Sequence, residues 1–211
     1  MVAPLEFLGR RHCGDHRKML GEERVTIYPL RLIYADLASP STAAVLKMTA
    51  ESWQRELGVN LTGAFNVIQA VISPMIDRGW GRIIVISSGA AHGGLHHQAA
   101  YAASKAGLIG LVQTITLEHA RHGITCNAIL PGLIETELVG MMPAEIRAAT
   151  TASTPARRLG RMNEVASLIT FLASEDAGFI NGAEIDIDGG MRLNTGSLGS
   201  RKEVRARPEG S

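Results

Sequence analysis

The chain has 211 residues, of which 45% are hydrophobic and 19% charged, and its formal net charge is +1. Such a composition is typical of a folded globular protein and excludes a long disordered chain. The near-neutral charge gives no general attraction to nucleic acid or to a membrane surface, so neither is expected as a partner. The length suffices for one domain with a substantial core.

The two cysteines, Cys13 and Cys126, lie far apart in different sequence contexts. This arrangement does not indicate a disulfide and fits a reducing compartment. No cysteine or histidine spacing is typical of a metal site, so no metal is expected. No apolar run reaches the ~18 residues of a membrane helix, and the N-terminus lacks the apolar segment of a signal peptide. We therefore expect a cytoplasmic protein.

The first part of the chain predicts an irregular leader over residues 1–24, which are polar and basic, followed by one strand over 25–37. Beyond it, Thr49 is a candidate helix N-cap, and apolar residues recur at helical spacing from Trp53 to Ile72. We expect a long helix over 49–78 with one apolar face.

Strands and helices then alternate through the rest of the chain. A β-branched run over 82–88 predicts a strand buried on both faces, which is typical of a parallel sheet. A helix is expected over 99–122 with Gly123 at its end, and a second buried strand over 124–130. A last strand is expected over 183–188, before a polar tail over 194–211. This order predicts one α/β domain over 25–193, a doubly wound parallel sheet.

The most informative pair of residues is Tyr101 and Lys105. Residues four apart on a helix share a face, so the lysine ammonium can lie near the phenol oxygen. A nearby positive charge lowers a phenol pKa from its usual ~10. A tyrosine perturbed in this way can exchange a proton with a substrate near neutral pH. The Ser87-Ser88 pair, at the end of the predicted strand 82–88, precedes this pair by thirteen residues.

Several further motifs stand in order around this pair. They are Val59-Asn60-Leu61, residues 81–88, Tyr101-x-x-x-Lys105, Asn127-Ala128-Ile129-Leu130-Pro131-Gly132 through Thr136, Phe171-Leu172-Ala173-Ser174, and Ile187-Asp188-Gly189-Gly190. With these motifs, residues 48–193 resemble the short-chain dehydrogenase/reductase family, and most closely its 3-oxoacyl-[acyl-carrier-protein] reductases. The resemblance implies a Rossmann-like fold and an NAD(P)-dependent oxidoreductase that interconverts a ketone and a secondary alcohol.

The resemblance also implies roles for individual residues. Tyr101 would be the general acid or base, Lys105 would hold the nicotinamide ribose and lower the tyrosine pKa, and Ser88 would hydrogen-bond the substrate oxygen. Asn60 would hold a water in a proton relay to Lys105. The nicotinamide side of the site would also be lined by Pro131, Gly132, Ile134 and Thr136. The substrate would be a 3-oxoacyl thioester or another small carbonyl compound.

Two parts of the family pattern are not found in this sequence. One is the opening unit of strand, glycine-rich turn, helix and second strand, whose turn binds the cofactor pyrophosphate, and the other is an Asn-Asn-Ala-Gly run after a later strand. Gly9, Gly14 and Gly21 are too far apart for such a turn, whose closely spaced glycines let backbone N–H groups approach the phosphates. We expect an N-terminally incomplete fold, from either a displaced start or a lost internal segment. In the second case Asp36 would be the family's adenine-contacting aspartate; otherwise it is a plain strand-end residue.

Two expectations follow from this difference. The strand over 82–88 would lack a neighbour on one side and expose an apolar edge, which predicts poor solubility or dependence on a partner. The choice between NAD and NADP stays open, because the second strand that normally determines it is not found.

The alternative to the enzyme is a catalytically silent fragment that acts as an interaction subunit. Such a fragment would co-assemble with a full-length paralogue through the two long helices. For the enzyme, the resemblance implies a homo-oligomer, a dimer or tetramer formed through helices 49–78 and 99–122.

Overall fold

The computed structural model describes residues 42–193 and the backbone of two preceding strands, Val25–Tyr28 and Leu32–Ala35. The predicted leader over 1–24, Asp36 and the predicted tail over 194–211 lie outside the described residues. In chain order the elements are β1 (Val25–Tyr28), β2 (Leu32–Ala35), α1 (Ala50–Leu57), α2 (Gly63–Arg78), β3 (Gly81–Ile86), α3 (Ala90–Gly93), α4 (Ala99–His119), β4 (Ile124–Pro131), α5 (Glu137–Gly140), α6 (Ala144–Ser153), α7 (Met162–Leu172) and β5 (Glu184–Ile187).

The described strands form one five-stranded sheet in the order β1-β2-β3-β4-β5. The pairs from β2 to β5 are parallel, and β1 pairs antiparallel with β2. The prediction of one strand over 25–37 is therefore wrong, because two antiparallel strands occupy this region. Pro29 gives a sequence reason, since proline has no N–H for a continuous ladder. The predicted exposed edge at 82–88 is also wrong, because β2 pairs with β3 on that side.

Helices cover both faces of this sheet. On one face, alternate residues of β3 and β4 pack against apolar side chains of α2 and α4, such as Ile68, Met75 and Val112. On the other face, Ile84 and Ile129 pack with Leu172 at the end of α7. Side chains of successive strand residues point to opposite faces, so a strand covered on both sides is apolar throughout. The doubly wound α/β arrangement predicted from the sequence is thus present in the structure.

Helix α4 passes into β4 through a tight turn at Gly123. This residue has a φ of 71°, and an added Cβ would clash with the carbonyl oxygen of Gly79. Glycine satisfies both requirements because it has no side chain and populates positive φ readily. The turn sets the start of β4 beside Gly81, where β3 begins.

The helix over 50–78 is continuous but includes a π-helical segment, Gly58–Thr62, between α1 and α2. Among the described residues it is long and apolar enough to span a membrane by length and composition alone, which the sequence analysis did not anticipate. Core helices pass the same test, and Ile68, Val71 and Met75 of this helix are buried in the cluster against the sheet.

Burial determines the reactivity of Cys126 on β4. The side chain is fully buried, and desolvation of the thiolate raises the pKa of this thiol to about 12. Because the thiolate is the reactive form, we expect the Cys13→Ser protein to resist labelling by a disulfide reagent at about pH 8 until it is unfolded. Rapid labelling of the folded Cys13→Ser protein in a stopped-flow assay would contradict the burial of Cys126.

The start of α7 carries an ion pair between Arg158 and Glu164. The Arg158 guanidinium, 2.6 Å from Oε1, and the Arg161 backbone N–H, 2.7 Å from Oε2, hold the pKa of Glu164 at about 2 instead of 4.5. The pair is exposed to solvent, so its energetic contribution is small.

A depressed carboxyl pKa stabilises the fold above the unfolded-state value, and this contribution disappears as pH falls from about 4.5 towards about 2. We expect Glu164→Gln to lower the free energy of unfolding at neutral pH, with the difference from wild type shrinking by about pH 3. Urea unfolding at both values measures this difference. If Glu164→Gln and wild type differ in free energy of unfolding by the same amount at both pH values, the carboxylate charge does not cause the stability difference.

Candidate active site

Lys105 lies at the centre of the candidate site and is 1% exposed. Its ammonium Nζ donates a hydrogen bond to the backbone oxygen of Ile86, the last residue of β3, at 2.9 Å. The Ser87 hydroxyl donates in turn to the Lys105 backbone oxygen at 2.8 Å. Two hydrogen bonds in opposite directions therefore fix this turn of α4 to the end of β3.

Tyr101 lies one turn before Lys105 on α4, as the four-residue spacing predicts. The Lys105 Nζ is 5.6 Å from the centre of the Tyr101 ring, within the range of an electrostatic attraction between a cation and an aromatic face. The Tyr101 side chain is half-buried, so that a substrate can reach it while the lysine beneath it is excluded from solvent. The structure thus brings the predicted pair together.

Ser88 follows β3 directly and lies at the carboxyl edge of the sheet. Its Oγ accepts a hydrogen bond from the backbone N–H of Ala90 at 3.2 Å, which leaves the hydroxyl proton to donate elsewhere. Strand β4 ends beside it, because the two strands are parallel neighbours, and the Gly89 N–H approaches the Pro131 oxygen at 3.5 Å. Ser88 and Pro131 therefore lie at the same edge.

The remaining predicted residues of the nicotinamide side lie in the loop after β4. Gly132 donates its N–H to the Ile187 oxygen at 3.1 Å. Ile134 pairs with Gly160 in an isolated bridge, and the Thr136 hydroxyl oxygen accepts from the N–H of Val139 at 3.3 Å as the N-cap of α5. These contacts order the loop, but they do not join Ile134 or Thr136 to Tyr101 or Lys105.

Asn60 lies in the π-helical segment and is 2% exposed. Its Nδ2 donates to Glu56 Oε1 at 3.0 Å and to Ser104 Oγ at 3.1 Å, and Ser104 precedes Lys105 in the chain. The Asn60 Oδ1 is buried and has no hydrogen-bond partner among the described residues. Single-turn π-helical segments are frequent at functional sites, where they displace one residue from the regular helix.

Three contributors to this arrangement were not predicted as site residues: Glu56, Ser87 and Ser104. Each is buried and polar. The four-residue spacing from Glu56 to Asn60 on a helix was the available signal for the first. The role of Ser104 could not be seen before the structure placed α4 against the π-helical segment.

The loop between Ser88 and Tyr101 contains three histidines. His92 Nε2 lies 2.7 Å from Glu184 Oε2, and the rings of His96 and His97 stack with centres 3.8 Å apart. Within the part of the chain that the structure describes, no three histidine, cysteine, aspartate or glutamate side chains are grouped so as to hold a metal ion.

The donor groups at the sheet edge fit one half of a nicotinamide cofactor. The buried Lys105 ammonium, the Tyr101 phenol and the Ser88 hydroxyl are donors for ribose hydroxyls and a carbonyl oxygen. The unpartnered Asn60 Oδ1 can accept a hydrogen bond from a water. Residues 42–193 and the two leading strands do not supply a glycine-rich turn for the pyrophosphate half.

The chain belongs to the short-chain dehydrogenase/reductase family. A model of this family, described as Enoyl-(Acyl carrier protein) reductase, matches residues 34–192. Among solved structures, the 3-oxoacyl-[acyl-carrier protein] reductase from Brucella melitensis superposes with a TM-score of 0.74 at 31% identity, covering 76% of this chain and 62% of that chain. The Rossmann-like fold expected from the sequence is thereby confirmed.

Curated relatives give the same assignment. The 3-oxoacyl-[acyl-carrier-protein] reductase MabA of Mycobacterium avium is 40% identical over 165 residues, which are 78% of this chain and 65% of the relative. The (3R)-3-hydroxyacyl-CoA dehydrogenase of Rattus norvegicus is 44% identical over 148 residues, 70% of this chain and 57% of the relative. This chain therefore spans 57% to 65% of the length of these two relatives.

Proposed function

We propose that the protein is an NAD(P)-dependent oxidoreductase that interconverts a 3-oxoacyl thioester, or a similar small ketone, and its secondary alcohol. The observation that carries this proposal is the buried Lys105 ammonium, fixed on the Ile86 oxygen and 5.6 Å from the Tyr101 ring. Burying a lysine ammonium costs free energy unless the charge is paired or hydrogen-bonded, so buried lysines are rare. The names of three relatives, which include the acetoacetyl-CoA reductase of Rhizobium meliloti, support the substrate class.

In this proposal the residues at the sheet edge divide the proton chemistry among them. The cofactor, when bound, supplies or accepts the hydride. The Ser88 hydroxyl donates a hydrogen bond to the substrate oxygen and stabilises the negative charge that develops there. Tyr101 transfers a proton to that oxygen, because the Lys105 ammonium favours its ionised form. Asn60 holds a water in a proton relay to Lys105.

Tyr101, Lys105, Pro131, Gly132, Ile134 and Thr136 would hold the nicotinamide half of the cofactor. The position of the site supports this assignment. It lies at the carboxyl ends of β3 and β4, beside Ser88, and ligands of open parallel sheets bind outside the carboxyl ends of the strands.

The direct test is turnover with acetoacetyl-CoA, followed as the loss of NADH or NADPH absorbance. We expect consumption that requires the thioester and saturates with it. A folded protein that consumes neither cofactor would favour the alternative, a catalytically silent interaction subunit. That alternative predicts co-elution with a full-length short-chain reductase, mixed with this chain, in size-exclusion chromatography.

We also propose that the protein is a homo-oligomer that associates through the helices at 50–78 and 99–122. The outer side of α4 carries small residues, Ala106 and Gly110, followed by Leu117, which is 87% exposed, and Phe65 on α2 is 43% exposed. Small side chains allow close helix approach, and exposed apolar ones favour burial. We expect sedimentation to give a dimer or tetramer at micromolar concentration, and Leu117→Lys to weaken the association. A monomeric wild type would refute the proposal.

A further inference from the structure

A groove with several arginines lies between α6 and the loop that follows this helix. Its volume is about 590 Å³, within the range of about 300–1,000 Å³ that is usual for small-molecule sites. Three arginines line the groove, namely Arg147 on α6 and Arg157 and Arg158 in the loop, whereas the lining has one carboxylate, Glu135. Positive charges exceed negative ones even when Glu164, the partner of Arg158, is included. The groove therefore favours an anionic ligand.

This groove borders the candidate active site. Glu135 stands in the chain between Ile134 and Thr136, two residues predicted for the nicotinamide side. The Glu135 backbone N–H donates to the Gly160 oxygen at 2.8 Å, which joins the loop after β4 to the loop that carries Arg157. A long substrate that extends from the sheet edge along this loop would place its far end among the arginines.

Backbone carbonyls orient two of the three guanidinium groups. Arg147 Nη1 donates to the Gly140 oxygen at 2.7 Å and also to the Met142 oxygen. Arg157 Nη1 donates to the Ala152 oxygen in the last turn of α6. Because a guanidinium has five N–H donors, contacts through one nitrogen orient the group with only some of its donors. A planar guanidinium held in this way matches the oxygens of a phosphate group.

The backbone of Arg157 has a left-handed conformation, with a φ of 56°. This conformation is uncommon for a residue with a side chain, and glycine or asparagine usually occupies it. Two hydrogen bonds hold the turn, from the Arg157 N–H to the Thr154 oxygen at 2.9 Å and from the Ala156 N–H to the Gly189 oxygen at 3.0 Å. Strained backbone of this kind clusters at ligand-binding sites, so the position of Arg157 indicates a binding role.

We propose that this groove binds the phosphate end of the thioester substrate through Arg147, Arg157 and Arg158. The proposal rests on the function proposed above, because it assigns the far end of that substrate. Thioesters of CoA and of an acyl carrier protein share a phosphopantetheine arm, whose phosphate lies at the end opposite the thioester sulfur. CoA has further phosphates beyond this one. The ligand chemistry common to both sources is therefore a phosphate ester on a pantetheine arm.

The test that does not depend on turnover is calorimetric titration of the wild-type protein with pantetheine, 4′-phosphopantetheine and CoA. We expect CoA to bind at least about tenfold more tightly than pantetheine, the ratio for one hydrogen bond to a charged group. If 4′-phosphopantetheine binds as tightly as CoA, the groove recognises the phosphate that both sources share. If CoA alone binds tightly, the groove is assigned to CoA thioesters. Equal affinity for all three compounds, or binding of none of them to the folded protein, overturns the proposal without any variant.

Variants of Arg157 locate the binding. Arg157→Gln removes the charge, whereas Arg157→Lys keeps a charge without the planar fork. We expect the dissociation constant of CoA to rise about tenfold in Arg157→Gln and less in Arg157→Lys, with the value for pantetheine unchanged. The matched control is Arg55→Gln, which removes an exposed arginine of α1. Wild-type affinity for CoA in Arg157→Gln, or an equal loss in Arg55→Gln, overturns the proposal.

Kinetics with two thioesters separate phosphate binding from a general disturbance of the site. We expect Arg157→Gln to raise KM for acetoacetyl-CoA about tenfold with little change in kcat. For acetoacetyl-N-acetylcysteamine, a thioester without a phosphate, we expect a change of no more than about twofold in either constant. An equal loss with both thioesters overturns the proposal. If the wild type turns over neither of them, the proposed function fails, and the titrations alone decide whether the groove binds phosphate.

Discussion

Replacing Tyr101 with phenylalanine is expected to lower the rate of carbonyl reduction by at least about a hundredfold, the usual contribution of a positioned general acid. The phenol is the group near the Lys105 ammonium that can give a proton to the substrate oxygen. Because only one oxygen of a half-buried side chain is removed, we expect the melting temperature to change by no more than about 4 °C. Steady-state turnover and a thermal melt measure the two effects.

The control for this variant is cofactor affinity. The Lys105 contacts to Ile86 and Ser87 do not involve the phenol oxygen, so NADH or NADPH should bind Tyr101→Phe about as well as wild type. Retained turnover in a folded Tyr101→Phe protein would refute Tyr101 as the proton donor. Loss of turnover together with loss of cofactor binding would instead indicate a general disturbance of the site.

The Lys105→Met protein is expected to lose both cofactor affinity and turnover. Methionine keeps most of the volume of this 1% exposed side chain but removes the ammonium that donates to Ile86. We expect the cofactor dissociation constant to rise at least about tenfold, the value of one charged hydrogen bond, and reduction to fall by a further factor of at least ~100. Fluorescence titration and steady-state kinetics measure these changes.

The folding stability of this variant has two opposing contributions. The Ile86 oxygen loses a donor, which destabilises, while the cost of burying an ammonium disappears, which stabilises. We therefore expect the free energy of unfolding to change by less than about 1.5 kcal/mol. Wild-type cofactor affinity in Lys105→Met would show that the ammonium has no role in binding.

The sequence predicted the parts of the fold whose signal is local. The β-branched run in β3 and the apolar run in β4 predicted buried parallel strands, and the four-residue spacing of Tyr101 and Lys105 predicted their common helix face. The two leading strands were not separated, because an apolar run has the same composition whether it continues or turns back. Pro29 was the available sequence signal for a break, and the antiparallel pairing of β1 with β2 shows that the chain turns back there.

The polar interior of the site was less predictable. Ser87, Ser104 and Glu56 act through tertiary contacts between α1, β3 and α4, and sequence spacing does not report which helices pack together. The π-helical segment that carries Asn60 also has no distinct composition, since one additional residue per turn depends on packing. The prediction therefore found the reactive groups but not the residues that orient them.

The first measurement is a fluorescence titration of the purified protein with NADH and with NADPH, with Lys105→Met as the control. The proposed site predicts saturable binding of one of them below about a millimolar dissociation constant, near 4 kcal/mol of binding free energy, and weaker binding by the control. That result would also identify the preferred cofactor. A folded wild type that shows no saturation up to about a millimolar, or that binds no better than Lys105→Met, would contradict a functional nicotinamide site in this chain.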